Sequence, residues 1–271
     1  MAAHASALGK RVLSALVLIP VALAAIVYGE PYLILLVAVV GGVIAWEWAR
    51  LCGHGHLGFA GLLLIIMVLV AIALTIFMRG TASIWALIAG AALVTALGKF
   101  EHDGRPYWLG IGTFYVGLPC LAILWLRGRP EGGLETLLWL FALVWATDTG
   151  AFLAGRLIGG PKLAPVISPN KTWAGLAGGI AAAALVGLVT YWLLPTGNSP
   201  WLAVVSGALA LVEQAGDLFE SAAKRQAGVK DSSNLIPGHG GALDRLDGLL
   251  AVSAAVAALS VMIGHPLVVG P

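Results

Sequence analysis

Apolar runs of roughly 20 residues recur along the whole chain, and this length of helix spans the hydrocarbon core of a bilayer, about 30 Å thick. Of the 271 residues, 60% are hydrophobic and only 10% are charged. A water-soluble globule of this composition would have too few polar side chains to cover its surface. We therefore predict an all-α, polytopic integral membrane protein with about nine transmembrane helices. The expected spans are Val12–Tyr28, Tyr32–Trp48, Leu57–Met78, Ala82–Gly98, Trp108–Leu126, Leu134–Ile158, Trp173–Leu194, Trp201–Lys224 and Leu243–Ile263.

The basic residues predict how these spans are oriented. Cytoplasmic loops carry an excess of Lys and Arg, and an odd number of spans puts the two termini on opposite sides. With a cytoplasmic N-terminus, all 15 Lys and Arg residues except Arg79, Arg127 and Arg129 fall inside. The N-terminus is therefore expected in the cytoplasm, with any chemistry on that side. A net charge of +2 from dispersed bases indicates no nucleic-acid partner.

Polar residues divide the chain into two expected parts. Residues 1–130 are rich in Gly, Ala, Leu and Val, as in a transmembrane scaffold of closely packed helices. Their exceptions, Glu47 and the 101–103 loop, are expected to be interfacial charges. Residues 131–271 concentrate charged side chains near predicted helix ends, so we expect the catalytic region there, with its site at the cytoplasmic face.

Two features of this second part precede the eighth span. Asp148 lies within the sixth span, where a carboxylate needs a polar cavity or a partner, so it either serves function or pairs structurally with a base such as Arg156. Ser168 followed by proline has the pattern of a helix N-cap and first turn before the seventh span. Lys171 and Thr172 would then point to an anion site at that terminus. An ordinary capped helix with an interfacial lysine is the alternative.

The richest polar segment covers the end of the eighth span and the start of the ninth. Glu213, Asp217, Glu220, Ser221 and Lys224 fall at helical spacing on one face, which cannot face lipid. A glycine-rich loop follows, and the ninth span opens with two carboxylates one turn apart. The expected convergence involves the carboxylates Asp217, Asp244 and Asp247, surrounded by the bases Lys171, Lys224, Arg225 and Lys230.

Hard oxygen ligands among bases are typical of a Mg²⁺ site that handles polyphosphate. His239 has no Cys or His partner at ligand spacing, so it is expected to bind substrate or shape the turn rather than hold zinc. A network of interfacial salt bridges is the structural alternative. A transporter or channel with an ion path through Asp148, Asp217 and Glu220 is the functional one, although clustering at one face and the lack of repeats argue against it.

The same segments resemble the signature of bacterial phosphatidate cytidylyltransferases, also called CDP-diacylglycerol synthases. The matching stretches are Ser221–Arg225, Lys230-Asp231, Pro237–Gly241 and Asp244–Asp247, with upstream similarity at Asp148–Phe152, Gly155-Arg156 and Ser168–Thr172. Ala174 and Ala242 depart from the family pattern. The DGxxAR pattern of the CDP-alcohol phosphotransferases, a rival enzyme class, is missing.

This resemblance implies transfer of a cytidylyl group from CTP to phosphatidate, giving CDP-diacylglycerol and pyrophosphate for phospholipid biosynthesis in a bacterial-type inner membrane. It implies Mg²⁺ as cofactor, a monovalent cation such as K⁺ as a second ion, and a homodimer. Asp217, Asp244 and Asp247 would hold the metal and act in catalysis with Lys224. Substrate binding would fall to Asp148, Ser168, Asn170, Lys171, Thr172, Ser221, Arg225, Lys230, Asp231, His239 and Arg245.

Overall fold

The computed structural model describes residues 2–77, 81–101, 105–194, 200–236 and 240–269, with side chains described for residue 14 and from residue 16 onward. Within these ranges the chain forms nine helices and one two-stranded sheet. The elements are α1 (Ala2–Tyr28), α2 (Tyr32–Cys52), α3 (Phe59–Phe77), α4 (Ala82–Gly98), α5 (Pro106–Arg127), α6 (Gly133–Leu157), β1 (Lys162–Ala164), β2 (Ser168–Thr172), α7 (Trp173–Leu193), α8 (Trp201–Gln226) and α9 (Leu243–Ile263). The helical fold is as predicted, whereas the small sheet was not.

Seven of these helices, α2, α3 and α5 to α9, are long and apolar enough to cross a membrane. The apolar stretches Leu16–Tyr28 and Ala82–Gly98 are shorter, so the count of nine spans stays a prediction. Large apolar side chains project outward from the helices, among them Phe77 and Met262, each 81% exposed. Such surfaces require an apolar solvent, so the chain is a polytopic membrane protein.

The chain forms two compact units. Unit one comprises Met1–Leu124 and Ala223–Leu246, and unit two comprises Trp125–Ala222 and Asp247–Pro271. Unit one thus takes in the end of α8, the loop that follows and the first residues of α9. The predicted division at residue 130 concerns function and stays a prediction.

In unit one, Trp48 joins α2 to α5. Its ring is 1% exposed, and its Nε1 donates a hydrogen bond to the Trp108 carbonyl oxygen at 2.7 Å. Trp48 also packs against Tyr115, with ring centroids 4.9 Å apart. A Cβ at Gly112 would overlap the Trp48 ring, so the glycine is needed where the tryptophan inserts. This packing fixes the C-terminal part of α2, where Glu47 lies.

In unit two, α6 and α7 meet along a seam of small residues. A Cβ at Gly178 would lie 2.7 Å from the Gly150 carbonyl oxygen, and a Cβ at Gly150 would lie 2.7 Å from that of Gly178. The two backbones therefore touch, as in other glycine-mediated membrane contacts. Trp139 adds a link to α8, because its Nε1 donates to Ser206 Oγ at 3.1 Å.

The sheet between α6 and α7 corrects one prediction. Residues Ser168–Thr172 are extended and pair antiparallel with β1, so Ser168 is not the N-cap of α7. Thr172 takes that role, because its Oγ1 accepts a hydrogen bond from the Gly175 amide at 3.0 Å. A serine before proline favours a cap locally, but strand pairing keeps this segment extended until the apolar run begins at Trp173.

Candidate active site

Two clusters of polar side chains, one in each unit, contain the predicted residues Asp217, Asp247, Lys224 and Asp244. The acidic cluster, in unit two, contains Asp217 and Glu220 of α8 and Asp247 of α9. The loop cluster, in unit one, contains Glu47, Lys224, Ser232, Ser233 and Asp244.

Each residue of the acidic cluster offers one carboxylate oxygen, and these atoms lie within 4.8 Å of one another. Asp217 and Glu220 share a face of α8 because they are three residues apart. Helix α9 packs closely against α8 because residue 216 of α8 is glycine. A Cβ at this position would lie 2.5 Å from the Ala251 Cβ of α9. Carboxylate oxygens at this spacing are ligands that suit Mg²⁺, so this donor set fits the expected metal.

A lysine lies against this cluster. Lys171, just before the α7 cap, places its Nζ 2.5 Å from Asp217 Oδ2, with side chains 17% and 27% exposed. Ser221 Oγ donates to Asp217 Oδ1 at 3.3 Å. The Lys171 Nζ is itself buried against Asp217. The cluster therefore combines carboxylates with an ammonium group, as phosphate binding beside a metal requires.

Asp148, an exposed residue of α6, contacts the buried carboxylate of Glu213 in the same unit. Its side chain hydrogen bonds with that of Glu213, which is 1% exposed and accepts a hydrogen bond from Gln214 Nε2 at 2.8 Å. The guanidinium of Arg156, the expected structural partner, lies over the Phe152 ring at 5.9 Å. Asp148 is thus tied to α8 through Glu213, a contact that sequence inspection missed.

The loop cluster is organised around Asp244, which the acidic cluster does not include. Asp244 Oδ1 accepts from Lys224 Nζ at 2.7 Å, and Oδ2 accepts from the Gly241 amide at 2.7 Å. The Ser232 amide lies 3.1 and 3.0 Å from the two oxygens, and Ser232 Oγ donates to Oδ2 at 3.0 Å. Protein donors thus surround both oxygens of Asp244, which favours a structural role for this residue over the metal-ligand role that the sequence predicts.

Glu47 is the main residue that the sequence interpretation misjudged. It is 0% exposed, so it is not an interfacial charge. Its Oε1 accepts from Ser233 Oγ at 2.6 Å and from the Ala242 amide at 3.0 Å. Its Oε2 accepts from the Leu243 amide at 2.7 Å. The available signal was a carboxylate inside an apolar span, which is costly without a polar partner.

The other predicted residues lie in less enclosed places. Arg225 Nη1 donates to the Val229 carbonyl oxygen at 2.9 Å and stabilises the turn after α8. The exposed residues among them are Asn170, Arg225, Lys230, Asp231 and Arg245. Ser168 is partly exposed in β2, and His239 lies outside the described residues.

Comparison with known proteins decides the family. The cytidylyltransferase family matches residues 9–263. A phosphatidate cytidylyltransferase of Brucella suis is 41% identical over 228 residues, covering 84% of this chain and 83% of the relative. One from Pseudomonas aeruginosa is 37% identical over 266 residues, covering 93% and 96%.

The chain belongs to the cytidylyltransferase family. The resemblance seen in the signature segments is thereby confirmed, and the chain is a nucleotidyltransferase of the membrane. A relative from Staphylococcus epidermidis reaches 46% identity over 139 residues, which is 51% of this chain and 52% of the relative.

Proposed function

We propose that this chain transfers the cytidylyl group of CTP to phosphatidate, forming CDP-diacylglycerol and pyrophosphate. Membership of a family whose named relatives are phosphatidate cytidylyltransferases supports the substrates. The observation that carries the chemistry is the acidic cluster of Asp217, Glu220 and Asp247 with Lys171 against it. Carboxylates and an ammonium group at one place suit a reaction between phosphate groups.

The phosphate of phosphatidate is already an anionic nucleophile, so no covalent enzyme intermediate is needed. One of its oxygens forms a bond to the α-phosphorus of CTP. The bond from that phosphorus to the oxygen bridging to the β-phosphate breaks, and pyrophosphate leaves with the electron pair. The protein's task is to position these groups and offset their negative charge.

Lys171 would offset charge on a phosphate group beside the acidic cluster. Lys224, whose ammonium is fixed by Asp244, would bind a second phosphate group. Asp217, Glu220 and Asp247 would hold Mg²⁺, which supplies positive charge to phosphate oxygens when bound. A monovalent cation such as K⁺ belongs to the proposal through the family resemblance alone.

The remaining assignments concern the surroundings of the site. Basic residues in the connecting loops support a cytoplasmic N-terminus and a site at the cytoplasmic face of a bacterial inner membrane. There, CTP arrives from water and phosphatidate from the bilayer. The family resemblance supports a homodimer, which light scattering of the detergent-solubilised protein would test.

Two labelled nucleotides test the reaction itself. Purified protein is incubated with phosphatidate, Mg²⁺ and CTP labelled at either the α- or the γ-phosphorus. The α-label should enter the lipid fraction and the γ-label should appear in pyrophosphate. Label from the γ-phosphorus in lipid, or none from the α-phosphorus, would refute the proposal. Asp247→Asn should lose activity, whereas Glu131→Gln, an exposed carboxylate elsewhere in unit two, should keep it.

A further inference from the structure

One buried carboxylate contacts the loop between α8 and α9, which carries the family signature, at two separate places. Glu47 accepts from Ser233 Oγ, near the middle of the loop. It also accepts from the amides of Ala242 and Leu243, where the loop ends and α9 begins. The hydrogen-bonded residues are separated from Glu47 by 186 to 196 positions in the sequence. Glu47 therefore fixes the loop from a different part of the chain.

The chemistry of a helix start explains this arrangement. The first amides of a helix have no partner within it and lie at its positive end, so a carboxylate there is favourable. Hydrogen bonds to a charged acceptor are the stronger kind, and burial strengthens them further. Glu47 meets all these conditions because it is 0% exposed and receives two amides at the start of α9.

The glycine before α9 shows how closely Glu47 approaches. A Cβ added at Gly241 would lie 2.5 Å from Glu47 Oε1 and would overlap Ser232 Oγ. Gly240 has a φ of +87°, which favours glycine. These residues thus let the backbone wrap around the carboxylate, although glycines raise the entropy that must be lost when the loop is ordered.

The loop held by Glu47 is the one that organises Asp244. Ser232 and Gly241 donate to Asp244, and Asp244 in turn holds Lys224. We propose that Glu47 is a positioning residue. It holds the loop at Ser233 and at the start of α9, a set of hydrogen bonds that we call the clasp, so that Asp244 presents Lys224 to substrate phosphate. This inference rests on the proposed cytidylyl transfer.

Glutamine is the sharpest substitution because it has the same shape as glutamate. Both Glu47 oxygens accept a backbone amide, Oε1 from Ala242 and Oε2 from Leu243. The amide group of glutamine would oppose one of these donors in either orientation. Glu47→Gln therefore loses part of the clasp without leaving a cavity.

A matched control exists in the same unit. Glu101 Oε1 accepts the Ala60 amide at 2.7 Å, near the start of α3, so it also stabilises a helix start from a distant segment. Glu101→Gln removes an equivalent carboxylate whose described hydrogen bond goes to α3 and not to the loop between α8 and α9. Ser233→Ala is the milder test variant, because it removes only one hydroxyl of the clasp.

The experiment combines hydrogen exchange with kinetics on the full-length, detergent-solubilised protein. Exchange is followed without substrate in peptides covering Ser232–Ile236 and Gly240–Leu243. In Glu47→Gln these amides should exchange about tenfold faster, whereas Glu101→Gln should leave them unchanged. For Glu47→Gln, kcat should fall about tenfold or more while KM for CTP changes by less than about threefold. Ser233→Ala should show both effects to a smaller degree.

Unchanged exchange of the loop in Glu47→Gln would overturn the clasp, and so would an equal loss of kcat in Glu101→Gln. If Glu47→Gln does not yield folded protein, Ser233→Ala decides by the same two measurements. Absence of lipid product from the unmodified protein would refute the proposed function instead. The exchange comparison would still decide whether Glu47 orders the loop.

Discussion

Substitution of Asp244 by asparagine should destabilise the protein as well as inactivate it. The asparagine side chain keeps one acceptor oxygen and replaces the other with an amide NH₂ group, which is a hydrogen-bond donor. That group opposes either the Lys224 ammonium, 2.7 Å away, or the Gly241 amide, also 2.7 Å away. In either orientation one hydrogen bond to Asp244 is lost, and two hydrogen-bond donors face each other in its place.

The magnitude follows from burial. The side chains of Lys224 and Asp244 are only 10% and 4% exposed, so water screens their interaction poorly. Removing one partner of a buried ion pair costs about 3–5 kcal/mol, because the other charge stays buried without compensation. A loss of about 3 kcal/mol lowers the melting temperature of a protein of this size by about 6–12 °C.

Thermal unfolding in detergent, followed by tryptophan fluorescence, measures this loss for Asp244→Asn, Lys224→Met and the double variant. Because the double variant leaves neither charge buried alone, it should lose clearly less stability than the sum of the single variants. Asp231→Asn, an exposed carboxylate of the same loop, should shift the melting temperature little. A shift below about 2 °C for Asp244→Asn, or additive losses in the double variant, would refute this reasoning.

Three further predictions test other contacts. Lys171→Met should reduce cytidylyl transfer about 100-fold with little loss of folded protein, because this ammonium lies against Asp217, whose side chain is 27% exposed and stays in contact with water; reduced yield with normal specific activity would contradict it. Gly178→Ala should lower the melting temperature, since its Cβ would lie 2.7 Å from the Gly150 carbonyl oxygen, whereas Gly207→Ala, with its nearest atom at 3.4 Å, should be tolerated. Thr172→Ala should lose about 1 kcal/mol of unfolding free energy, and Thr172→Ser should restore it, because Thr172 Oγ1 caps α7; an equal loss in Ser168→Ala would contradict that cap assignment.

Helix positions follow from sequence far better than contacts do. The lengths of the apolar runs predicted that α8 begins at Trp201 and that α9 spans Leu243–Ile263, and the structure has both. The capping preference of serine before proline predicted Ser168 as the N-cap of α7. In the structure Ser168 lies in the strand paired with β1, and Thr172 is the N-cap. Strand pairing depends on a second segment, so a single serine-proline pattern could not reveal it.

The site shows the same limit. Helical spacing put Asp217 and Glu220 on one face of α8, and the structure brings Asp247 to them. Spacing could not show that Asp244, one turn before Asp247, is surrounded by Lys224 and loop donors. Nor could it pair Glu47 with Leu243, 196 positions away, because that contact depends on how separate helices pack.

Direct measurement of divalent-cation binding tests the acidic cluster without relying on catalysis. Manganese is a spectroscopic substitute for magnesium, and electron paramagnetic resonance reports free and bound Mn²⁺ separately. Purified protein without nucleotide should bind Mn²⁺, Asp217→Asn and Asp247→Asn should weaken that binding at least about tenfold, and Asp244→Asn should retain it. Unweakened binding in Asp217→Asn and Asp247→Asn, or an equal loss in Asp244→Asn, would contradict the assignment of the metal to Asp217, Glu220 and Asp247.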